Sequence, residues 1–446
     1  MSEKRSHISK RFAVPRAFVV AAPLAGLVIL GALGLRAASA LADDSHDYYL
    51  ASTSQTVYRG FFPRNAPPAL IVPSGAIVRI DTLSHQGLTS LQNCTPPVGG
   101  GDWTPSACVA SGALDPVAFQ ATQGVPAREV LPDATEVFYN LNYATRTRTG
   151  GGHVLTGPIY IEGAAPGDTL EVRVHKVRAR VPWGYNTQGP GGALPGYLSA
   201  STRKVIRIKG NLALFSDDIK IPLKPFQGIM AVAPADSFVS PLTAEANAGY
   251  VGSRPPGPMG GNMDLNDLGE GTSVYLPVFQ YGAQFFTGDP HEVQGNGEVS
   301  GTALEHSNIA TLQFIVHKNG GLAGPRAETP THYILMGIDV DHDKAMQLAL
   351  RDALDFLQAE KGLSPADAMS FASLAVDLNI AESVDFTNLV MARIPKLFFK
   401  KSLPKFWHKP LKVRNEAQRQ GLEPIPPGGD GNQFDEFEQP WFERPD

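Results

Sequence analysis

Glycine and proline punctuate this chain almost everywhere: 45 Gly and 37 Pro among 446 residues leave mostly short apolar runs between them. Gly accepts positive φ, whereas Pro fixes φ and lacks an N–H donor, so both end regular structure and favour turns. Short apolar runs bounded by such residues read as strands. The fold class expected is α+β, predominantly β: a β-rich sandwich or barrel-like core with a small helical C-terminal part. With 43% hydrophobic and 18% charged residues, the chain can bury one large core or two moderate ones.

Individual segments follow from this. Residues 69–81, ALIVPSGAIVRID, read as a hairpin around Pro73-Ser74-Gly75, and 136–143, EVFYNLNY, as a weaker strand or loop. Residues 159–177 hold two strands around Ala165-Pro166-Gly167-Asp168. In the second, Leu170, Val172 and Val174 alternate with Glu171, Arg173 and His175, which places the charged side, His175 included, in solvent. Residues 182–196 form a Gly/Pro/aromatic loop whose Trp183 and Tyr185 could cover a small substrate. Strands are expected near 203–209, 212–215, 229–233, 274–279, 284–286 and 304–316. From Asp341 the apolar period becomes helical, with Asp341 or Asp343 as cap, and Ser364-Pro365-Ala366-Asp367 opens a second helix. Capping explains Asp341-His342-Asp343 better than a metal triplet does.

The ends differ from the middle. Lys4, Arg5, Lys10, Arg11 and Arg16 precede the uncharged run 17–35, and Ala40 and Ala42 follow in A-x-A spacing, which reads as a signal peptide over 1–42. An uncleaved anchor is the alternative, since that run is long enough to span a bilayer. The protein is then exported, to a periplasmic or extracellular space. Residues 43–335 would form the β-rich catalytic domain, 336–400 a helical segment packed on it, and 401–446 an extended tail. Cys94 and Cys108, the two cysteines, suit a disulfide in an exported chain; it would contribute about 3 kcal/mol, and two free thiols are the alternative. Residues 1–42 carry six basic residues and one acid, so their removal takes the formal charge from −5 to about −10. Such acidity without a basic stripe argues against nucleic acid. Membrane contact would be confined to the N-terminal segment or the basic, aromatic tail 396–414, for which a solvated extension is the simpler reading. A homo-oligomer is compatible with all of this.

Chemistry concentrates between Gly257 and Glu305, where Asp264, Asp289, His291, Glu292, Glu298 and Glu305 sit among Gly-rich turns. Carboxylates and imidazole supply both metal ligands and acid/base groups; solvated hairpin turns are the plain alternative. No G-x-S-x-G elbow is present, and the cysteines lie outside this region, so water is the nucleophile left.

The run G-D-P-H-E-V-Q-G-N-G-E from Gly288 to Glu298, with G-G-N-M-D from Gly260 to Asp264 and the block from His153 to Leu170, HVLTGPIYIEGAAPGDTL, resembles the acetamidase/formamidase family of amide hydrolases. Weaker similarity runs from about Pro73 to Pro395. The resemblance implies a metal-dependent site with His153, Asp264 and His291 as first ligands and Asp289 as fourth ligand or as acceptor for His291. Two imidazoles and a carboxylate would fit zinc best; an all-oxygen shell would favour calcium. Glu298 is then the general base and proton shuttle, with Glu305 in reserve for either role. Asn262 and Gln294 would supply oxyanion donors, and Gly295 and Gly297 would keep the backbone close to them. Glu162 and Asp168 match the family too, but their hairpin position suggests turn chemistry. His85 is a further candidate ligand, and His306, His317 and His332 read as structural. The resulting expectation is an exported hydrolase releasing ammonia from formamide- or acetamide-like substrates. Its rivals are a non-catalytic β-rich metal- or ligand-binding protein and a hydrolase of a larger amide.

Overall fold

The computed structural model describes residues 46–84, 104–110, 112, 114–148, 152–238 and 250–399. The 1–42 segment, His85, Cys94 and the tail beyond residue 399 therefore lie outside the described residues. A nine-stranded sheet runs in the order Tyr48–Leu50, Ile77–Asp81, Asn308–His317, Thr169–Ala179, Ser273–Pro277, Arg326–Glu328, His332–Asp339, Asn388–Pro395 and Asp377–Glu382. A six-stranded sheet is built on Gly260–Asn262, Phe226–Ala231, Phe285–His291, Val154–Ile161 and Val57–Arg59, with Leu70–Val72 added parallel to Val154–Ile161. One apolar core joins them: Val172, Val174, Leu312 and Phe314 of the first sheet pack with Leu155, Ile229, Met230 and Phe285 of the second. The fold is thus the expected β-rich α+β class, as an open sandwich rather than a closed barrel.

The other face of the large sheet is also covered. Helix His342–Lys361 buries Ala345, Ala349, Ala353, Phe356 and Leu357 against Tyr275, Tyr333 and Leu335. As expected, Asp341 caps it by accepting from Lys344 N, and Ser364 caps Pro365–Ala375 by accepting from Asp367 N. Residues beyond the helices return as strands, Asp377–Glu382 and Asn388–Pro395, so the 336–400 segment is only half helical.

Double-sided burial overturns the expected solvent exposure of the Thr169–Ala179 charges. Glu171 and Arg173 lie opposite Tyr275 and Ser273 on the helix-bearing face and are fully buried. They pair with each other: Arg173 Nη2 donates to Glu171 Oε2 at 3.0 Å, Arg173 Nε also donates to this carboxylate, and His317 Nε2 lies 2.7 Å from Oε2. His175 is half-buried beside Gln313.

Other readings also change. Residues 69–81 are not a hairpin, because Leu70–Val72 joins one sheet and Ile77–Asp81 the other. Residues 132–140 form a helix, with proline in the first turn and Ala134, Val137 and Phe138 buried at i, i+3, i+4 spacing. Trp183–Gln188 is a strand paired with Thr202–Lys209, so buried Trp183 and Tyr185 are wall rather than lid. Lys396, expected at the head of a solvated tail, is buried with its Nζ 2.9 Å from Glu328 Oε2. Asp168 does serve its turn, accepting from Ala165 N at 2.8 Å and Lys318 Nζ at 2.6 Å.

Burial alone would raise the Glu171 pKa, but Arg173 and His317 outweigh it and lower the pKa to about 2. A depressed carboxyl pKa stabilises the fold above the unfolded value near 4.5, and that stability disappears as pH falls toward 2. The shift corresponds to roughly 3 kcal/mol. Urea titrations are expected to show wild-type stability falling between pH 4.5 and 2, with Glu171→Gln less stable at pH 7 by about 3 kcal/mol and flatter across that window, because it leaves Arg173 buried and unpaired.

Candidate active site

Strand Phe285–His291 carries Asp289 and His291, two residues apart and therefore on one face. Its neighbour Phe226–Ala231 pairs Gln227 with Pro290 and Ile229 with Gly288, leaving Gly228 between them opposite Asp289. That glycine is a steric requirement. A Cβ there would collide with Asp264 Oδ1 and come 2.9 Å from both the carbonyl oxygen and Oδ2 of Asp289. The Gly228 carbonyl also accepts from Met263 N at 3.0 Å and Asp264 N at 3.2 Å, which fixes Asp264 beside Asp289 and His291.

Three further loops converge. Glu298 sits in a turn closed by Glu298 N donating to Gly295 O at 3.2 Å, and Gly297 N donates to Ala381 O at 2.7 Å, tying that turn to the large sheet. Glu305 is held by paired backbone bonds with Tyr185, at 3.1 and 2.9 Å. Glu382 arrives at the end of the strand Asp377–Glu382, and Asp385 from the connection that follows it. Ligand atoms of three overlapping sets approach within 4.8 Å of one another: Asp264, Asp289 and His291; His291, Glu298 and Glu305; Asp264, Glu298 and Asp385. All are buried. Asp264, Asp289 and Glu298 have φ of 41°, 50° and 44°, three of the seven non-glycine residues with positive φ among those described. Strain of this kind persists where surrounding structure enforces it and clusters at functional sites.

The hydrogen bonds fix the imidazole's orientation. Gln294 Nε2 donates to Asp264 O at 2.7 Å, so Gln294 Oε1 is the atom that faces His291 Nδ1 at 3.0 Å and accepts its proton. Nε2 then points at Asp289 Oδ2 and Glu305 Oε1, each 3.3 Å away. A bare lone pair facing two carboxylate oxygens is repulsive, so Nε2 needs either a proton or a cation there. Burial opposes charge on His291, yet Asp289 and Glu305 override it and raise its pKa well above the usual value. Asp264 and Glu298 are pushed well above the carboxylate range, first by burial and then by neighbouring acids. Asp385 is raised by burial, with Arg254 opposing through an Nε bond of 2.8 Å. Buried anions crowded in this way must be neutralised by protons or by a metal. The donor set of one imidazole and several carboxylates suits a divalent cation.

Of the expected ligands, Asp264, Asp289 and His291 meet in one set. His153 borders it: its Nε2 is 3.9 Å from Asp289 Oδ2 and its Nδ1 is 2.9 Å from Ser253 Oγ. Glu298 and Glu305 belong to the same cluster. Gln294 and Asn262 do not stand as free oxyanion donors, because Gln294 holds Asp264 and His291, and Asn262 Nδ2 donates to Asp385 Oδ2 at 2.6 Å. Gly295 has open space where a Cβ would sit, so close approach is not its reason, whereas Gly297 needs its φ of 96°. Asp385, Glu382 and Arg254 join the site without having been expected there from the sequence. The one sequence signal of the two acids is A-E-S-V-D at 381–385, two carboxylates after an apolar stretch, which is common on any surface. Glu292, on the strand's other face, pairs with His306 at 3.2 Å. Burial raises Glu292 to about 8 and lowers His306 to about 4, so at neutral pH the two side chains face each other uncharged, and His306 holds the Val181 carbonyl through Nε2 at 2.8 Å.

An open β-sandwich with a buried acid–imidazole cluster at the end of one inner strand defines a class of site suited to holding a cation. The profile of the Acetamidase/Formamidase family matches residues 144–249 and 244–401, and the chain belongs to that family. The formamidase of Methylophilus methylotrophus is 26% identical over 305 residues, 53% of this chain and 74% of that one. A Schizosaccharomyces pombe protein bearing a formamidase name is 29% identical over 220 residues, 38% of this chain and 52% of its own length. This chain thus spans about half of that relative and three-quarters of the Methylophilus enzyme. The crystal structure of an acetamidase from Bacillus halodurans superposes with a TM-score of 0.60 at 24% identity, covering 79% of this chain and 98% of that one, which shows the shared fold.

Gly228→Ala is expected to cost about 1–3 kcal/mol of stability through overpacking against Asp264 and Asp289, whereas Gly295→Ala, with nothing within 4 Å of the added carbon, should be close to neutral. Paired thermal unfolding curves check the difference.

Proposed function

We propose that the protein is an exported, metal-dependent amidohydrolase that releases ammonia from small linear amides of the formamide or acetamide type. The observation that carries this reading is the His291 cluster: one imidazole whose Nε2 faces Asp289 and Glu305 at 3.3 Å, with Asp264 and Glu298 buried beside it. Family membership supports amide hydrolysis, and the names of its relatives, formamidase and acetamidase, support short substrates. Asp264, Asp289 and His291 are the residues that would hold the metal, with His153 next to Asp289. A divalent cation held there supplies charge that polarises the amide carbonyl and eases deprotonation of water. The histidine content favours zinc over calcium.

The chain's own groups divide the remaining work. Glu298, whose pKa is raised by burial, can take a proton from the attacking water and return it to the departing nitrogen. Glu305 stands across His291 and accepts from Ala303 N at 3.2 Å, which fixes its carboxylate. Asn262 and Arg254 hold Asp385 in place behind Asp264. Export rests on the 1–42 segment, and a Cys94–Cys108 disulfide is proposed with it.

Metal analysis of the purified protein is paired with an ammonia-release assay over short amides. His291→Ala is expected to lose both stoichiometric metal and at least a thousandfold in kcat/KM with its fold intact. Glu298→Gln should keep the metal and lose at least a hundredfold in kcat. A fully active His291→Ala would remove the site. Metal loss in Glu298→Gln would recast that residue as a ligand, and a wild type that binds metal but releases no ammonia would favour the binding-protein alternative.

A further inference from the structure

The nine-stranded sheet ends in an open edge. Its last strand, Asp377–Glu382, has the strand Asn388–Pro395 on one side only. Lys396 N donates to Thr331 O at 2.8 Å, and the register continues from there as Ile394 with Tyr333 and Ala392 with Leu335, so these alternate residues turn their N–H and C=O groups toward His332–Asp339. Arg393 and Met391 turn theirs the other way and take up Asp377 and Asn379, which leaves the N–H and C=O groups of Leu378 and Ile380 directed off the sheet. Gly297 N donates to Ala381 O at 2.7 Å and closes the far end of this edge. Leu378 and Ile380 lie opposite Ala392 and Val390, on the face that carries the helices, yet they are 39% and 45% exposed. Seven of the eleven residues of the helix Pro365–Ala375 are Ala, Met, Phe or Leu, but it fully buries only Ala368 and Ala372 and leaves Met369 and Leu374 50% and 83% exposed. Half-exposed Phe398 reaches this helix through Phe371, with ring centroids 6.4 Å apart. A helix apolar on most sides is normally covered, and an exposed apolar edge strand is a template for another strand.

We propose that Asp377–Glu382 pairs antiparallel with the same strand of a second copy of this chain, in a register centred on Asn379, giving a twofold dimer with one sheet continuous across both copies. The strand is self-complementary in that register. Leu378 lies opposite the partner's Ile380, and Ile380 opposite the partner's Leu378, so the outward N–H and C=O groups meet in four hydrogen bonds and apolar side chains face each other. Asp377 meets the partner's Ala381 rather than an acid. A shift of one residue sets the outward groups of Ile380 against the inward groups of Asn379 and brings Asp377 opposite Glu382, so backbone pairing and charge both exclude it. Area points to the same occupant. Met369, Leu374, Leu378, Ile380, Leu397 and Phe398 are all exposed and together offer on the order of 500 Å2 of apolar surface. With the paired backbone this approaches the roughly 800 Å2 that each partner contributes to a standard interface, and a self-matching surface of this kind closes by a twofold axis. The dimer is independent of the hydrolase reading.

Association of the full chain is measured by sedimentation equilibrium from about 0.1 to 100 µM. Two variants accompany it: Leu378→Pro removes an outward donor that the monomer's own sheet does not use, and Ile380→Lys sets a charge in the apolar pair. Circular dichroism and Tm check folding. The wild type is expected to dimerise within that range, and each folded variant to raise the dimer Kd at least a hundredfold. Amide exchange of the wild type is followed as well, and the Leu378 and Ile380 amides are expected to slow at least tenfold from the dilute to the concentrated sample. A wild type that stays monomeric throughout overturns the proposal; if the chain shortened to end at Phe399 then dimerises, residues 400–446 are the occupant of the edge instead. An assembly that a folded variant leaves unchanged, or in which the two amides exchange as fast as in the dilute sample, also overturns it, because association then uses another surface. If neither variant folds, the exchange measurement decides.

Discussion

Crowding of buried carboxylates around one imidazole is the constraint from which the rest of this structure follows. Asp264, Asp289, Glu298, Glu305 and Asp385 are each at most 6% exposed, and the cluster's cationic partners are the His291 ring and the guanidinium of Arg254 on Asp385. Like charges brought this close in low dielectric cannot all ionise without a compensating cation. The cluster is therefore unfavourable for folding by itself, and the surrounding fold has to enforce it. Gly228 gives up its side chain, three acids accept positive φ, and Gln294 spends both ends of its amide on holding the ring and the Asp264 backbone.

Rigid elements deliver these groups from distant parts of the chain. Asp289 and His291 stand on an inner strand hydrogen-bonded to two neighbours, and the Glu298 turn is tied through Gly297 to the last strands of the large sheet. Both sheets thus contribute to one site, and their common core fixes the distance between them. Side chains that must meet within a few tenths of an ångström are better served by strands and short tied turns than by free loops.

Much of this was legible in the sequence, and the failures share a cause. The helix caps at Asp341 and Ser364 are local chemistry, and they appear as read. The block from Gly288 to Glu298 pointed to Asp289, His291 and Glu298, and the structure brings them together. Non-local facts were hidden. Alternation in Thr169–Ala179 implied a wet face, but helices pack on that side, so Glu171 and Arg173 are buried as a pair. The aromatic, β-branched content of 136–143 suggested strand, while Pro132 and the buried spacing of Ala134, Val137 and Phe138 made a helix. Asp385 and Glu382 lie some 90 residues from the motif, and only the closing of the large sheet brings them in.

The end of the central strand shows how the pleat sorts acids that look alike in sequence. His291 and Glu292 are adjacent, so their side chains leave on opposite faces. One face opens into the carboxylate cluster, where Asp289 and Glu305 keep the His291 ring charged or bound to a cation. On the other face buried Glu292 lies 3.2 Å from His306, whose Nε2 is 2.8 Å from the Val181 carbonyl. Desolvation dominates there and drives Glu292 and His306 to their neutral forms. The same two residue types, a carboxyl and an imidazole, therefore become a charged, cation-seeking centre on one side of a strand and an uncharged pair on the other. The number of neighbouring acids decides between the two outcomes, and that number is set by which loops the fold brings to each face.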